Sequence, residues 1–275
     1  MLRLFSGQDS MQVPTQVSNA QAIVLCGGMG ARMGALTQDI PKPLIRIHGQ
    51  PLLWYVLRTL RRNGIRRVIF PLGYKGELIR DYVRTAFADE EMQFELVDTG
   101  VDTSIAGRIL QIRDLVPQGS DFLLLNSDTV FDFPLHEMFD QHRAASALLT
   151  LSSVAIASPW GLIHEKNGSL FSFSRERKMH YLMSDEDPAA RGYVNSGIAV
   201  LNEAALAFVN TSATHDFEQD VYSRIIQLGR ATHYRIHGTW FAVDTQKDLQ
   251  LINQLTGGGS GHGVGVQRIK DKLST

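Results

Sequence analysis

Cysteine is almost absent from this chain, which has one, Cys26, among 275 residues. An internal disulfide framework is therefore excluded, and a single thiol fits a reducing compartment, so we expect a cytoplasmic protein. The sequence also lacks a run of about 18 apolar residues that could span a bilayer. Residues 1–20 lack the continuous apolar centre of a signal peptide, and we predict no membrane partner.

Net charge is nearly absent too. The 27 basic and 28 acidic residues give a formal charge of -1 at pH 7, so the protein offers no broad basic surface for nucleic acid. A polyphosphate ligand would have to be bound by local groups. These absences favour small-molecule ligands over long polyanions.

The length and composition suit one large domain, since 44% of the 275 residues are hydrophobic. Residues 1–20 are predicted to be a flexible leader, and the glycine-rich residues 256–275 a flexible tail. Between them we expect a single domain, 21–255, with a first half at 21–145 and a second half at 146–255.

Strand and helix patterns alternate in the first half of this domain. Short apolar, β-branched runs predict strands, and apolar residues at helical spacing predict helices. The predicted strands are 22–26, 68–72, 93–97 and 122–125, and the predicted helices are 52–62, 76–87, 105–115 and 135–144. The alternation predicts an α/β fold with a mostly parallel sheet flanked by helices.

The second half is richer in strands, so the sheet is expected to be mixed in direction. The predicted strands are 147–156, 162–164, 170–174, 193–201, 232–236 and 240–243, and the predicted helices are 203–210, 216–227 and 246–255. The pair Asn167-Gly168 between two strands indicates a hairpin turn.

The first strand leads into the sequence GGMGAR, and a lysine bracketed by prolines follows. Gly27, Gly28 and Gly30 allow backbone amides to approach phosphate oxygens closely. Arg32 and Lys42 can supply positive charge, and the flanking prolines hold the backbone of Lys42 extended. The segment matches neither the Walker loop nor GxGxxG. A tight strand-to-helix turn beside a solvated lysine is therefore the alternative.

The stretch from Ala22 to His48 resembles the signature of the sugar-phosphate nucleotidyltransferase family. That signature has two glycines, then a glycine and an arginine, then a Pro-Lys-Pro some ten residues on. Ala31 departs from it, because the family often has threonine there. The resemblance extends over residues 22–255.

Three further segments resemble the glucose-1-phosphate cytidylyltransferase branch of that family. They are LWY at 53–55, GYKG at 73–76, and the DTG and GRI of 97–109. The resemblance implies a Rossmann-like fold of the nucleotide-diphospho-sugar transferase type with a β-rich acceptor-binding part. It also implies transfer of a nucleoside monophosphate, with CTP favoured, to a sugar 1-phosphate, with Mg2+ as cofactor and self-association plausible.

The reaction that the resemblance implies is an in-line displacement that needs alignment and charge neutralisation but no general base. Arg32 and Lys42 are the expected catalytic residues. The expected nucleotide-binding residues are Leu25, Gly27, Gly28, Gly30, Thr99, Gly100, Gly107, Arg108 and Ser127.

Two aspartates are expected to hold Mg2+. Asp128 directly follows an apolar strand, where ligand sites of open α/β sheets lie, and Asp244 resembles the second metal-binding aspartate of the family. Magnesium takes one or two protein carboxylates and completes its shell with phosphate oxygens and water. The alternative is that each aspartate caps the turn or helix after it.

The loop around Thr99 is expected to contact the base. Thr99, Gly100 and Gly107 would bring backbone and hydroxyl groups to the edge of the base, and Arg108 would reach phosphate or the base. A polar loop that caps the helix starting near residue 102 or 103 is the alternative.

The acceptor side is less well defined by the sequence. The resemblance implies acceptor contacts by Tyr74, Arg175, Lys178, Asn195, Ser196 and Gly197. Residues 174–178 stand where the family has Glu-Lys-Pro, but the pattern is broken, and such a charge run is often a solvated edge. Asn195 could also be an ordinary turn or bulge residue in a β-rich segment.

Other functions stay open at this point. The acceptor could be phosphocholine or a phosphonate, and the base uracil or guanine. Two different classes are a nucleotide-binding regulatory protein without catalysis and a glycosyltransferase with an aspartate-centred metal site.

Overall fold

The computed structural model describes residues 17, 20–30, 33–88, 91–157, 162–174, 178–179, 182–183, 190–210 and 216–254. The first half contains β1 (Gln21–Leu25), α1 (Leu36–Asp39), a 3₁₀ helix (Lys42–Leu44), β2 (Arg46–Ile47), β3 (Gln50–Pro51), α2 (Leu52–Arg62), β4 (Arg67–Leu72), α3 (Gly76–Ala86), β5 (Gln93–Asp98), α4 (Ile105–Ile112), a 3₁₀ helix (Arg113–Leu115), β6 (Asp121–Asn126), β7 (Thr129–Asp132) and α5 (Leu135–Ala144). The second half contains β8 (Leu149–Val154), β9 (Ile156–Ala157), β10 (Leu162–Lys166), β11 (Ser169–Ser174), β12 (Lys178–Met179), β13 (Leu182–Met183), β14 (Arg191–Gly192), β15 (Val194–Asn202), a 3₁₀ helix (Glu203–Phe208), a π-helical turn (Glu218–Tyr222), α6 (Ser223–Gln227), β16 (Ala231–Arg235), β17 (Thr239–Ala242) and α7 (Gln246–Gln254).

Seven strands form the central sheet in the order β16-β8-β15-β6-β1-β4-β5. Strand β1 pairs in parallel with β4 and β6, and β4 pairs in parallel with β5. Strand β15 is antiparallel to both of its neighbours, β6 and β8, while β8 and β16 are parallel. The predicted α/β fold with a mostly parallel, mixed sheet is confirmed.

Apolar residues cover both faces of the sheet and divide the core into two layers. On one face, helices α2, α3 and α5 pack against the alternate residues of the strands, including Val24 and Val68. On the other face, α4, the 3₁₀ helix after β15, and α6 pack against residues such as Ile23 and Ile69. Because β1 is buried on both sides, it forms a continuous apolar run, as expected for a parallel strand.

Helix α2 shows how the sequence sets an element's limits. It follows Pro51, whose fixed φ suits a helix start. Its last residue is Arg62, and Asn63 caps it before Gly64, which has a φ of +86°. Arg61 and Arg62 lie in its last turn, where positive charge complements the helix dipole. The helix therefore lies where its apolar periodicity predicts it, at 52–62.

Asp121, at the start of β6, joins three elements. Its carboxylate accepts hydrogen bonds from Arg143 Nε at 3.0 Å and Asn202 Nδ2 at 2.9 Å, and His142 Nε2 lies 3.5 Å away. Burial alone would raise the pKa of Asp121, but these donors outweigh it and lower the pKa from 3.8 to about 2. The Asp121 side chain is 14% exposed. Its hydrogen bonds connect the end of α5 and the end of β15 to the start of β6.

The predicted hairpin at Asn167-Gly168 is confirmed. Strands β10 and β11 are antiparallel, and both turn residues have positive φ, +54° and +80°. The segments predicted as helices at 203–210 and 216–227 differ from the expectation, since they contain a 3₁₀ helix and a π-helical turn. Only two residues of the 3₁₀ helix, Ala205 and Leu206, are buried, and such limited packing gives little reason for a full α-helical face.

The predicted leader and tail fall outside the described residues, apart from Val17 and Ala20. Among the described residues, no helix combines the length and the apolar character needed to cross a bilayer.

Candidate active site

The carboxyl ends of β1, β4, β5 and β6 meet at one edge of the sheet, where the loops after β1, β5 and β6 line a cavity of about 780 Å³. Such an edge is the usual ligand position in open α/β sheets. The described residues that line the cavity are 25–30, Lys42, Pro43, 101–105, Arg108, 126–128 and Asp244.

Lys42 bridges two carboxylates on the wall of this cavity. Its Nζ lies 2.6 Å from Asp128 Oδ2 and 2.9 Å from Asp244 Oδ1, although the lysine and Asp244 are 202 residues apart. The lysine opens a 3₁₀ turn between two prolines, and its side chain is 12% exposed. The packing also needs Gly30, because a Cβ there would lie 3.1 Å from Lys42 Cβ and the residue has a φ of +63°.

The two-stranded ladder of β7 and β17 brings the aspartates together. The strands are antiparallel, with Ala242 opposite Thr129, and the ladder continues with a hydrogen bond from Val243 N to the Asp128 carbonyl at 3.2 Å. Asp128 and Asp244 therefore extend from the same end of one ladder.

The electrostatics of this trio hold the lysine charged. Burial disfavours the ammonium form of Lys42, but the nearby Asp128 and Asp244 carboxylates outweigh that effect and raise its pKa. The ammonium thus lies between two carboxylate oxygens in the same place that a small cation would take.

The carboxylates suit a magnesium ion. Asp128 and Asp244 are 23% and 45% exposed, so both are accessible from the cavity. Within the described part of the chain, no group of three or more His, Cys, Asp or Glu side chains could hold a metal ion. A cation here would be held by two carboxylates and would take its remaining ligands from phosphate and water, as magnesium does.

Capping of the last helix is performed by another residue, Asp248. Its Oδ2 accepts from Thr245 N at 2.8 Å, and its own backbone N–H donates to Thr245 Oγ1 at 3.2 Å. This reciprocal pair has the form of a capping box at the start of α7. The Asp244 carboxylate instead turns to Lys42.

Arg108 and Thr99 are bonded to each other beneath the cavity. Arg108 lines the cavity wall, but the residue is only 5% exposed, and its guanidinium donates to Thr99 Oγ1 at 2.6 Å. The Thr99 hydroxyl in turn donates to the Leu72 carbonyl at 2.6 Å. Ser104 is the N-cap of α4 and accepts from Gly107 N at 3.2 Å. The loop therefore does cap a helix, which starts at Ile105, two or three residues further on than expected.

Six of the nine predicted nucleotide-binding residues line the cavity: Leu25, Gly27, Gly28, Gly30, Arg108 and Ser127. Thr99, Gly100 and Gly107 lie outside the described lining, and Gly100 instead donates its N–H to Asp98 Oδ1. Of the two predicted catalytic residues, Lys42 lies on the cavity wall, and Arg32 is outside the described residues.

Four of the predicted acceptor residues, Tyr74, Asn195, Ser196 and Gly197, are not among the residues that line this cavity. Tyr74 donates its hydroxyl to the Thr37 carbonyl at 3.0 Å. Asn195 donates to Glu218 Oε2 at 3.3 Å and lines a second cavity of about 380 Å³ with Tyr193.

The other predicted acceptor residues are Ser196, Gly197, Lys178 and Arg175. Ser196 is buried, and its hydroxyl contacts that of Ser152 at 2.5 Å. Gly197 has a φ of +74°. Lys178 belongs to strand β12, while Arg175 is outside the described residues.

Nine described lining residues were not among the predicted site residues: Cys26, Met29, Pro43, Val101, Asp102, Thr103, Ser104, Ile105 and Asn126. Asn126 ends strand β6 directly before Ser127, and this position at a strand end is the signal that would have found it. Met29, inside the glycine loop, is 58% exposed. Burial raises the thiol pKa of Cys26 to about 12, which disfavours the nucleophilic thiolate form.

Comparison with known proteins gives consistent matches. A family model described as nucleotidyl transferase matches residues 21–256. The probable glucose-1-phosphate cytidylyltransferase of Bacillus subtilis (strain 168) is 30% identical over 254 residues, which cover 86% of this chain and 95% of the relative. The mannose-1-phosphate guanylyltransferase catalytic subunit beta of Xenopus tropicalis is 24% identical and covers 83% of this chain and 62% of its own length.

Solved structures show the same fold. A Bacillus anthracis protein described as a candidate glucose-1-phosphate thymidylyltransferase, in complex with a sucrose, aligns with a TM-score of 0.63 at 15% identity, covering 89% of this chain and 99% of that one. At that identity the likeness shows the fold alone, which is of the nucleotide-diphospho-sugar transferase type.

Proposed function

Because the chain belongs to the nucleotidyl transferase family, among its sugar-1-phosphate nucleotidyltransferases, we propose that it is a magnesium-dependent cytidylyltransferase. It transfers CMP from CTP to a sugar 1-phosphate and releases pyrophosphate. The observation that carries this proposal is the position of Lys42, held between Asp128 and Asp244 on the wall of a cavity of about 780 Å³. A cytoplasmic location is part of the proposal, since a single cysteine, free and buried, fits a reducing compartment.

The proposed reaction is one displacement at the α-phosphorus. An oxygen of the acceptor phosphate forms the new P–O bond, and the bond from the α-phosphorus to the bridging oxygen breaks, so that pyrophosphate leaves with that electron pair. The acceptor phosphate is already an anion, so no side chain has to remove a proton. The protein contributes alignment and charge neutralisation.

The glycine loop and two cations would bind the nucleotide phosphates. The exposed Gly28 and half-buried Gly30 present backbone amides at the cavity, which suits phosphate oxygens. Lys42 would stabilise the charge that develops on the phosphoryl oxygens, and Arg32 would hold the departing pyrophosphate. The remaining lining residues other than Arg108, with the loop after β5, would enclose the base and ribose.

Asp128 and Asp244 are the proposed holders of the metal. When bound there, Mg2+ would act as a Lewis acid that neutralises phosphate oxygens. For the carboxylates to reach a metal, the Lys42 ammonium must turn from them toward the phosphates, and its four-carbon stem allows this movement.

The acceptor is proposed to lie toward β15. Asn195, Ser196 and Gly197 lie on that strand, next to β6 in the sheet, and a Cβ on Gly197 would lie 2.8 Å from Asn126 Nδ2 at the cavity. Asn195 offers an amide that can bind sugar hydroxyls as donor and acceptor. We retain Tyr74, Arg175 and Lys178 as proposed acceptor contacts on the resemblance alone.

A matrix of nucleotides and acceptors tests the function. Purified protein with Mg2+ is given CTP, UTP, GTP or dTTP with glucose 1-phosphate, mannose 1-phosphate, phosphocholine or a phosphonate, and pyrophosphate release is measured. We expect the highest kcat/KM with CTP and a hexose 1-phosphate. Asp128→Asn is the matched negative control, because it removes one charge without changing side-chain size.

The same matrix separates the rival functions. Turnover with GTP or UTP only would overturn the proposed base, and turnover with phosphocholine only would overturn the acceptor. Nucleotide binding with no pyrophosphate from any pair would indicate a regulatory protein. Release of a nucleoside diphosphate from a nucleotide sugar would indicate a glycosyltransferase.

A further inference from the structure

Arg108 joins the ends of three neighbouring strands. Its Nη1 donates to the Leu72 carbonyl at 3.0 Å, where β4 ends. Its Nη2 donates to the Gly27 carbonyl at 3.2 Å, after β1, and to the Val101 carbonyl at 3.0 Å, after β5. Nη1 also donates to the Thr99 hydroxyl at 2.6 Å, so both terminal nitrogens of the guanidinium donate hydrogen bonds within the fold. Strands β1, β4 and β5 are adjacent in the sheet, so one side chain ties the carboxyl ends of three neighbouring strands together beside the cavity.

Two glycines make room for this side chain. A Cβ on Gly27 would lie 2.3 Å from Arg108 Cζ, and a Cβ on Gly73 would lie 2.4 Å from Nη1. Neither glycine has a positive φ, so backbone conformation is not what requires glycine at these positions. Both positions are glycine because the Arg108 guanidinium occupies the space that a Cβ would take.

All four acceptors of Arg108 are neutral oxygens of the fold. Two of these carbonyls also accept backbone N–H groups, Gly27 from Tyr74 at 3.2 Å and Leu72 from Thr99 at 2.9 Å, so Arg108 adds a further hydrogen bond to each. The planar, five-donor guanidinium can serve several of them together, which a lysine ammonium on its single nitrogen cannot do in the same geometry. The contacts therefore depend on the shape of the side chain more than on its charge.

We propose that Arg108 is a positioning residue, which sets the backbone of the glycine loop 27–30 for nucleotide phosphates and does not itself contact the nucleotide. This inference rests on the proposed function, because it assigns the loop to phosphate binding. Holding the Gly27 carbonyl fixes the peptide from which the following loop amides extend into the cavity. Arg108 would then act through the loop.

Replacement by lysine and by methionine separates shape from charge. We expect Arg108→Lys and Arg108→Met to weaken CTP binding, measured by calorimetry, by a similar factor of about tenfold or more, since both lose the buried forked contacts. The KM for the acceptor should change little. If Arg108→Lys binds CTP like the wild type while Arg108→Met does not, the charge acts directly on the nucleotide and the proposal is wrong.

Gly73→Ala gives a second test, because Gly73 is outside the described lining of the cavity. The new methyl group should displace the guanidinium and weaken CTP binding in the wild-type background. In the Arg108→Met background the same substitution should have no further effect on binding. An undiminished effect in both backgrounds would overturn the proposal, and Gly73→Ala keeps the test available if Arg108→Met does not fold.

Arg67→Met is the matched control. Arg67 lies at the opposite end of β4, where its guanidinium also binds the fold and donates to the Leu115 carbonyl at 2.7 Å. We expect it to lower the unfolding midpoint without changing the dissociation constant of CTP.

Hydrogen exchange of the loop amides separates this inference from the proposed function. In nucleotide-free protein, exchange of residues 27–30 should accelerate in both Arg108 variants and stay unchanged in Arg67→Met. If the wild type binds no nucleotide, the proposed function fails, while the exchange data still decide whether Arg108 holds the loop. Unchanged exchange in the Arg108 variants would refute its positioning role.

Discussion

Replacing Lys42 by methionine should change metal binding and turnover in opposite directions. The ammonium occupies the space between the Asp128 and Asp244 oxygens, so it would compete with a metal ion for them. Methionine keeps much of the length of the side chain but removes the charge. Metal binding should become tighter, and turnover should fall because the charge that stabilises the phosphoryl oxygens is gone.

The size of the metal effect follows from the two contacts of Lys42. A hydrogen bond between charged groups contributes about 1.5–3 kcal/mol when desolvated, and an exposed ion pair about 0–1 kcal/mol. The Asp128 contact is short and Asp128 is 23% exposed, whereas Asp244 is 45% exposed and its contact counts for less. Displacing the ammonium should therefore cost about 1–2 kcal/mol, which makes the dissociation constant for Mg2+ about 5–30-fold lower in Lys42→Met. Turnover should fall by about 10²–10³-fold.

Calorimetry with Mg2+ and no nucleotide measures the first effect, and pyrophosphate release at saturating substrates measures the second. Lys247→Met is the control, since it removes the same charge from an exposed position three residues after Asp244. It should change neither quantity appreciably. Metal binding that is unchanged or weaker in Lys42→Met would refute the competition, and full turnover would refute the catalytic role of the lysine.

Three further predictions concern the carboxylates and one glycine. Asp128→Asn should lower turnover by about 100-fold or more, and the more exposed Asp244→Asn by less, each with weaker Mg2+ binding by calorimetry. Asp121→Asn should lower the free energy of unfolding at pH 7 by about 2 kcal/mol, because the folded-state pKa is depressed from 3.8 to about 2. That contribution is present above pH 3.8 and is lost as the pH falls toward 2, so urea titrations at pH 2 should no longer separate variant from wild type. Gly197→Ala should destabilise the protein by more than about 1 kcal/mol and reduce turnover, since its Cβ would crowd an amide at the cavity, whereas Gly229→Ala has a similar positive φ but open space and should leave turnover intact.

Local sequence patterns were sufficient to predict most elements of the first half. Apolar runs and helical spacing placed β1, α2, β4 and α5 because each buries a face that its own residues define. The position of β15 was not predictable in this way. It runs antiparallel between β6 and β8, and strand order and direction depend on pairings between residues far apart in the chain.

The candidate site was partly predictable for the same reason. Asp128 was identified by its place after a strand, and Lys42 by its prolines, but neither pattern reveals that the lysine bridges both aspartates in the ligand-free protein. Arg108 was expected to face the ligand. It stands four residues before Ile112, on the buried side of α4, and that spacing was the available sign that its guanidinium would bond within the fold.

The ladder of β7 and β17 makes the aspartate pair a late product of translation. A ribosome delivers Lys42 and Asp128 well before it delivers β17, so a nascent chain has the glycine loop and Lys42 with only one of the two aspartates. A stop codon between Arg235 and Thr239 should therefore abolish the proposed activity rather than slow it. The shortened product would still contain all seven strands of the central sheet but would lack the second aspartate.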